Sequence, residues 1–115
     1  MRKNQRIKKN TEIQAVLQAK QSIGGSNFVV YKKENHTEET RFALSVSKKY
    51  GIAVKRNQMK RRIREIVSSL SFKEGFDVFV IAKNRSSSLS FISIKQELTE
   101  LFKKAQLLED THEQI

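Results

Sequence analysis

The segment FDVFVIAK, residues 76–83, limits the possible folds more than any other part of the sequence. It is almost continuously apolar, whereas a strand with one solvent-facing side alternates apolar and polar residues. Such a run is typical of a central strand that is covered on both faces. At 115 residues the chain can form one domain around such a strand, but it is too short for two.

The other segments predict the elements that surround this strand. Cap-type residues and apolar spacing predict a first helix from about Thr11 to Lys20. Strands are predicted over residues 27–33 and 41–49, running antiparallel to each other with a polar loop between them. A basic helix is predicted from about Val54 to Leu70, and Ser90 is predicted to cap a last helix with an apolar stripe.

The order of these elements predicts the fold class. Helix, strand, strand, helix, strand, helix indicates an α+β fold, a two-layer sandwich in which a small sheet packs against helices. A further short strand near Ser22 and Ile23 has only a weak signal. We expect residues 1–115 to form a single domain, with a frayed tail from about Leu108 onward.

The charge of the chain indicates a polyanionic partner. Lys and Arg total 23 against 12 Asp and Glu, which gives a net charge of +11. Self-repulsion of this size does not help the chain to fold, but it attracts a polyanion. Eight cationic residues lie between Lys48 and Arg64 without an acid among them. Nucleic acid is therefore the leading class of partner.

The composition also argues against several classes of function. Without cysteine there is no disulfide framework and no thiolate metal site, and no apolar run is long enough to cross a bilayer. The basic start is not followed by an apolar signal core. His36 and His112 stand apart from paired carboxylates, so we predict no catalytic or metal-binding residue. We expect a cytoplasmic, monomeric protein with no membrane partner.

The predicted basic helix has two faces when its residues are placed 100° apart. An apolar stripe of about 100° seats it on the sheet, and it consists of Met59, Ile63, Ile66, Val67 and Leu70. The adjoining cationic face consists of Arg56, Asn57, Lys60, Arg61 and Arg64. Guanidinium groups one turn apart can grip phosphate oxygens. A basic helix is often only a solvated face, but such faces usually mix charges.

Residues 41–65, RFALSVSKKYGIAVKRNQMKRRIRE, resemble the signature of the bacterial ribonuclease P protein subunit. In that family a strand ending in Ser-x-Lys-Lys leads through Gly into a helix of the form Arg-Asn-Arg-x-Lys-Arg-x-x-Arg. The likeness extends to RIKKN, FVVY and DVFVIAK, and so covers most of the chain in order. Gln58 replaces an arginine, Ile52 an asparagine, and Ile13 and Leu17 replace aromatic residues that could stack on unpaired bases.

The resemblance implies a fold and a function. The fold has three helices around a mixed four-stranded sheet, with the basic helix in a left-handed βαβ crossover. The function is to assist a catalytic RNA that removes the 5′ leader from precursor transfer RNA, with magnesium held mainly by the RNA. A structural ribosomal or other RNA-binding protein is the alternative. A duplex-DNA regulator is disfavoured because the helix-turn-helix arrangement needs a second short helix.

The charge pattern and the resemblance together predict two groups of site residues. The predicted RNA-binding residues are Lys48, Lys49, Lys55, Arg56, Asn57, Lys60, Arg61 and Arg64. The resemblance implies a leader cleft between the first helix and the sheet, lined by Ile13, Leu17, Val29 and Tyr31. Tyr31 would supply the stacking surface. Without the resemblance, mutual packing of the four cleft residues as core is the simpler interpretation.

Overall fold

The computed structural model describes residues 5–47, 51–83, 86 and 88–109, and within them the predicted α+β fold is confirmed. In chain order the elements are α1 (Asn10–Gln18), β1 (Ser22–Gly24), β2 (Phe28–Glu34), β3 (Arg41–Val46), α2 (Ala53–Ser69), β4 (Phe76–Ala82) and α3 (Phe91–Lys104). The short strand with the weak signal is therefore present, as β1.

The four strands form one mixed sheet in the order β1-β2-β4-β3. β4 pairs antiparallel with β2 and parallel with β3. β2 and β3 therefore run in opposite directions, as predicted, but β4 lies between them and they do not pair. β3, α2 and β4 form a parallel βαβ unit. The left-handed crossover that the resemblance implies stays a prediction.

The sheet has a main core on one face and a smaller one on the other. Val78, Val80 and Ala82 of β4 are inaccessible to solvent and pack in one cluster with residues of α2 and α3. Phe79 points to the opposite face, where it packs with Val16 of α1. This alternation explains the continuous apolar run of β4, because both faces of a central strand are buried.

The helices are seated as their apolar patterns predict. In α2 the buried residues are Met59, Ile63, Ile66 and Val67. In α3 the buried residues are Ile94, Leu98, Leu101 and Phe102. The Ser90 hydroxyl caps α3 by accepting a hydrogen bond from the Ser93 amide at 3.2 Å. Both helices therefore cover the same face of the sheet.

The carboxyl end of the described chain departs from the expected fraying. Leu107 is fully buried in the main core. Leu108 bridges to Phe72, and the Glu109 amide donates to the Ser71 carbonyl at 2.9 Å. Leu108 and Glu109 are thus held in the fold, because the adjacent Leu107 side chain is buried and both residues bond to the segment at Ser71 and Phe72. Residues 110–115 of the predicted frayed tail lie outside the described residues.

A carboxylate from α3 holds the connection between β1 and β2. Glu97 Oε2 accepts hydrogen bonds from the amides of Asn27 at 2.9 Å and Phe28 at 3.1 Å, and Oε1 accepts one from Asn27 Nδ2 at 2.7 Å. Gly25 lies directly against this carboxylate: a Cβ at position 25 would be 2.8 Å from Glu97 Oε2 and 3.2 Å from a Leu101 methyl group. A side chain at position 25 would therefore have to displace the Glu97 carboxylate.

We expect Gly25→Ala to lower the free energy of unfolding by about 1 to 3 kcal/mol, because the added methyl group overpacks the Glu97 and Leu101 contacts. Gly24→Ala is the matched control, since a Cβ at position 24 would meet no atom within 4 Å. Urea denaturation of the two variants measures the difference. Equal stabilities would show that the Glu97 carboxylate can move aside without cost.

Candidate nucleic-acid interface

Most of the predicted RNA-binding residues lie on α2. Lys55, Asn57 and Arg61 are exposed, whereas Lys60 and Arg64 are half-buried. No cation of α2 forms an ion pair with an acid in the part of the chain that the structure describes. The positive charge of this face is therefore not neutralised by these parts of the protein. Two further predicted residues, Lys48 and Lys49, lie outside the described residues.

Arg56 differs from the other cations of α2. It is half-buried, and its Nε atom is buried without a hydrogen-bond partner among the described residues. Its position continues the line of the buried Met59 and Ile63, three and seven residues further along the helix. The aliphatic stem of Arg56 thus extends the apolar stripe, in contrast to its predicted place on the cationic face alone.

A small cavity lies where α2 meets the edge strand β3. Its volume is about 170 Å³, and its lining includes Arg6, Lys60 and Arg64 on the cationic side and Ile13 on the apolar side. Burial lowers the pKa of Arg64 from its ordinary value, and the nearby charge of Arg6 lowers this pKa further. Three cations without an acid in the lining favour an anion, and the apolar wall suits the sugar or base attached to a phosphate.

The predicted cleft residues lie on the other face of the sheet, between α1 and the strands. Ile13, Leu17 and Tyr31 are partly buried and pack against a cluster formed by Ile7, Val16, Ala43 and Phe79. The Tyr31 ring lies 6.5 Å from the Phe79 ring, centroid to centroid, with a 37° tilt. The core interpretation is thus correct for part of each side chain, while the remaining surface of Ile13, Leu17 and Tyr31 is accessible.

Residues that pair side by side across the four strands form an open floor next to this cluster. Val29 of β2 pairs with Ile81 of β4, which pairs in turn with Ser45 of β3, and all three are half-buried. Gly24 of β1 continues the row and has open space where a Cβ would be. Of these four residues, only Val29 was predicted from the sequence to line the cleft. Ile81 and Ser45 could not be added because their alignment with Val29 depends on the sheet order.

The cavity and the cleft are connected around β3. Ile13 lines the cavity and also packs against the cleft cluster. β3 is the last strand of the sheet, and the segment with Arg6 and Ile7 runs along its outer side, where the Ile7 amide donates to the Phe42 carbonyl at 2.8 Å. Ile7 also belongs to both the cavity lining and the cleft cluster. The structure therefore brings the cationic face of α2 and the predicted leader cleft together, and one extended RNA strand could contact both.

An ion-pair network that sequence reasoning missed fixes one end of α1. Arg41 donates from Nε to Asp77 Oδ1 at 3.0 Å, from Nη2 to Asp77 Oδ2 at 2.9 Å and from Nη2 to Glu12 Oε2 at 2.7 Å. These hydrogen bonds, first to Asp77 and then to Glu12, raise the pKa of Arg41. The guanidinium group joins α1 to the starts of β3 and β4.

Two further findings concern metal binding and membrane spanning, and both apply to residues 5–47, 51–83, 86 and 88–109. No three His, Cys, Asp or Glu side chains in these ranges are grouped so that they could hold a metal ion. None of the helices in the same ranges combines the length and the apolar character needed to span a membrane.

The sequence model of the family described as Ribonuclease P matches residues 1–106. The chain belongs to the ribonuclease P protein family. The ribonuclease P protein component of Latilactobacillus sakei is 41% identical over 113 residues, which cover 96% of this chain and 94% of the relative. That of Bacillus pumilus is 41% identical over 108 residues, which cover 91% of each chain.

Solved structures of ribonuclease P proteins share the fold. The protein from Staphylococcus aureus is 34% identical and superposes with a TM-score of 0.84, covering 91% of this chain and 98% of its own. The protein from Thermotoga maritima is 27% identical, with a TM-score of 0.79, and covers 86% of this chain and 96% of its own. The resemblance in residues 41–65 is therefore confirmed at the level of the family. Ribonuclease P is a ribonucleoprotein of transfer RNA processing, so family membership identifies RNA as the partner class.

Proposed function

We propose that this protein is the RNA-binding subunit of a ribonuclease P holoenzyme, and that it binds both the catalytic RNA and the 5′ leader of precursor transfer RNA. The observation that carries this proposal is the connection around β3 between the cation-lined cavity and the cleft beside α1. A protein that bound only one RNA surface would need only one of these features.

The cationic face of α2 is the proposed contact with the catalytic RNA. Lys60 and Arg64 line the cavity, and Lys55, Asn57 and Arg61 extend the surface into solvent. Because the described chain does not neutralise these cations, phosphate groups can do so and release their counterions. The guanidinium forks can bind two phosphate oxygens at once, which fixes orientation as well as affinity.

The cleft is the proposed binding site of the leader. Tyr31 offers part of its ring for stacking, Ile13 and Leu17 flank it, and the row that contains Val29 and Ile81 forms the floor. These contacts are made without base-specific hydrogen bonds, so they suit a single strand of varied sequence. Because the product has no leader, the same contacts favour the precursor over the mature transfer RNA.

The protein's role in the cleavage step is to position the RNA and neutralise its charge. Magnesium, held mainly by RNA phosphates in this proposal, supplies an activated water for hydrolysis when it is bound. The described residues contain no group of three His, Cys, Asp or Glu side chains placed to hold such an ion. The proposal includes a monomeric protein in the cytoplasm, where bacterial precursor transfer RNA is made.

The leader contact is tested with the holoenzyme reconstituted from this protein and a bacterial catalytic RNA. We expect precursor transfer RNA with a leader of several nucleotides to bind roughly tenfold more tightly than the same RNA with a one-nucleotide leader, because each stacked base adds about 1 to 3 kcal/mol. The catalytic RNA alone is the control and should show a smaller difference. Equal affinities of the holoenzyme for the two substrates would contradict the leader contact.

The alternative is a structural RNA-binding protein without a role in cleavage. The same reconstitution separates the two proposals when the cleavage rate is measured at low magnesium. A subunit that neutralises phosphate charge near the reaction site should restore cleavage where the RNA alone is nearly inactive. If adding the protein leaves the low-magnesium rate unchanged, the structural alternative is favoured.

A further inference from the structure

The position of α1 relative to the sheet depends on few contacts. The helix has nine residues, no side chain caps its amino end, and Val16 is its one fully buried residue. A helix of this length is not stable in isolation, so tertiary contacts determine where it lies. Ile13 and Leu17 pack against the same small core as Val16, but both stay partly exposed. A second, polar contact near the amino end therefore helps to fix the direction of the helix.

Glu12 supplies this second contact by binding a guanidinium group that the sheet has already fixed. Arg41 is held by the carboxylate of Asp77, which is only 5% exposed. Asp77 also accepts a hydrogen bond at 2.9 Å from Asn35 in the loop between β2 and β3. Arg41 Nη2 then reaches Glu12 at 2.7 Å. Because Asp77 and the strands hold the guanidinium in place, Glu12 receives a donor of fixed position.

The two contacts lie on successive rows of the sheet. Arg41 pairs with Asp77 in one row, and Ala43 pairs with Phe79 two residues further along. Glu12 binds the first row, and Val16 packs with the second. Glu12 and Val16 are four residues apart and therefore share one face of α1. Two points on one face define the line along which the helix crosses the sheet.

We propose that Glu12 and Arg41 are positioning residues that set the width of the cleft between α1 and the sheet, and through it the preference for a leader. This inference rests on the proposed function. Ile13 follows Glu12 directly, and Leu17 follows Val16, so both cleft residues move with the helix. Without the Glu12 contact, only apolar packing of Val16, Ile13 and Leu17 holds α1, and the distance from Ile13 to the Tyr31 side of the cleft is less firmly fixed.

Electrostatics alone and the proposed positioning role make opposite predictions for how Glu12→Gln changes RNA affinity. The substitution removes a negative charge next to the proposed RNA site, so electrostatics alone predicts tighter binding of every RNA. The positioning role predicts weaker binding of long leaders only. In the reconstituted holoenzyme we expect the ratio of affinities for the several-nucleotide and one-nucleotide leaders to fall about fivefold, the upper range for a partly exposed ion pair.

Two further variants separate positioning from general loss of structure. Glu100→Gln removes an exposed carboxylate from α3, which packs on the opposite face of the sheet, and should leave the ratio unchanged. Arg41→Lys keeps the charge but cannot bind both carboxylates as a fork. It should lower the ratio as Glu12→Gln does, and the double variant should lower it no further, since both substitutions break the same contact between Glu12 and Arg41.

The outcomes can be told apart. Thermal unfolding and affinity for the catalytic RNA are also measured for each variant. The positioning role requires that Glu12→Gln lower the leader ratio while the unfolding temperature and the affinity for the catalytic RNA stay close to those of the wild-type protein. An unchanged or raised ratio in Glu12→Gln, with a normal ratio in the wild-type protein, would overturn this inference and leave the proposed function standing. Additive losses in the double variant would overturn it as well. A wild-type ratio near one would contradict the proposed function itself.

Discussion

Replacing Lys60, Arg61 and Arg64 together by alanine is expected to weaken binding of the catalytic RNA roughly a hundredfold at about 0.15 M salt and to flatten its salt dependence. Each phosphate contact that is lost lowers the slope of log affinity against log salt by about 0.7 to 0.9. Three contacts therefore change the slope by about 2 to 3. Titrations of labelled catalytic RNA at several salt concentrations measure both quantities. Arg56 is left intact because its Nε atom is buried, unlike the side-chain nitrogens of the three replaced residues.

A matched triple variant shows whether the position of the charges matters. Lys95, Lys103 and Lys104 are exposed on α3, and replacing them by alanine changes the net charge by the same amount. We expect this variant to keep most of the slope. If both triple variants flatten the slope equally, the effect comes from net charge and the cationic face of α2 does not contact the RNA.

The faces of α2 show how far helical geometry alone could predict the site. The apolar stripe was correct because burial of Met59 and Ile63 follows directly from their spacing. Arg56 was assigned to the cationic face by its charge, although its angular position lies beside Ile63. A long aliphatic stem can cover an apolar stripe while the charged head reaches out. Residue type alone therefore did not show that Arg56 is partly buried, while its role in RNA binding stays a prediction.

The sheet order could not be predicted from local patterns. Alternation in β2 and β3 shows which faces are buried, but it does not identify neighbouring strands. The continuous apolar run of β4 was the one local sign that it lies centrally, and the structure places it between β2 and β3. Ile81 and Ser45 of the cleft floor could be recognised only after this order was known.

The ion-pair network was missed for a related reason. Arg41 is 29 residues from Glu12 and 36 residues from Asp77, so no helix or turn spacing links them. One signal was available. Asp77 stands in the apolar run of β4, and a carboxylate in a buried strand requires a partner. The sequence could thus have predicted that a cation pairs with Asp77, but not that Arg41 is this cation or that it also binds Glu12.

Tyr31 should carry the largest single contribution to leader binding. It is the one aromatic side chain among the four predicted cleft residues, since the other three are Ile13, Leu17 and Val29. Its ring packs on one side near Phe79, at 6.5 Å, which fixes its orientation before RNA binds. A fixed ring loses little conformational freedom on stacking. Most of the stacking free energy is then available for affinity.

Tyr31→Ala is therefore expected to weaken binding of precursor transfer RNA with a several-nucleotide leader by about 1 to 3 kcal/mol, roughly 5- to 150-fold. Binding of the substrate with a one-nucleotide leader should change little. Tyr31→Phe keeps the ring and should behave as the wild-type protein, because stacking needs the aromatic face and not the hydroxyl group. If Tyr31→Phe loses as much affinity as Tyr31→Ala, the hydroxyl group makes the contact and stacking does not. If neither substitution matters, the ring belongs only to the small core formed with Phe79, and the leader must bind elsewhere.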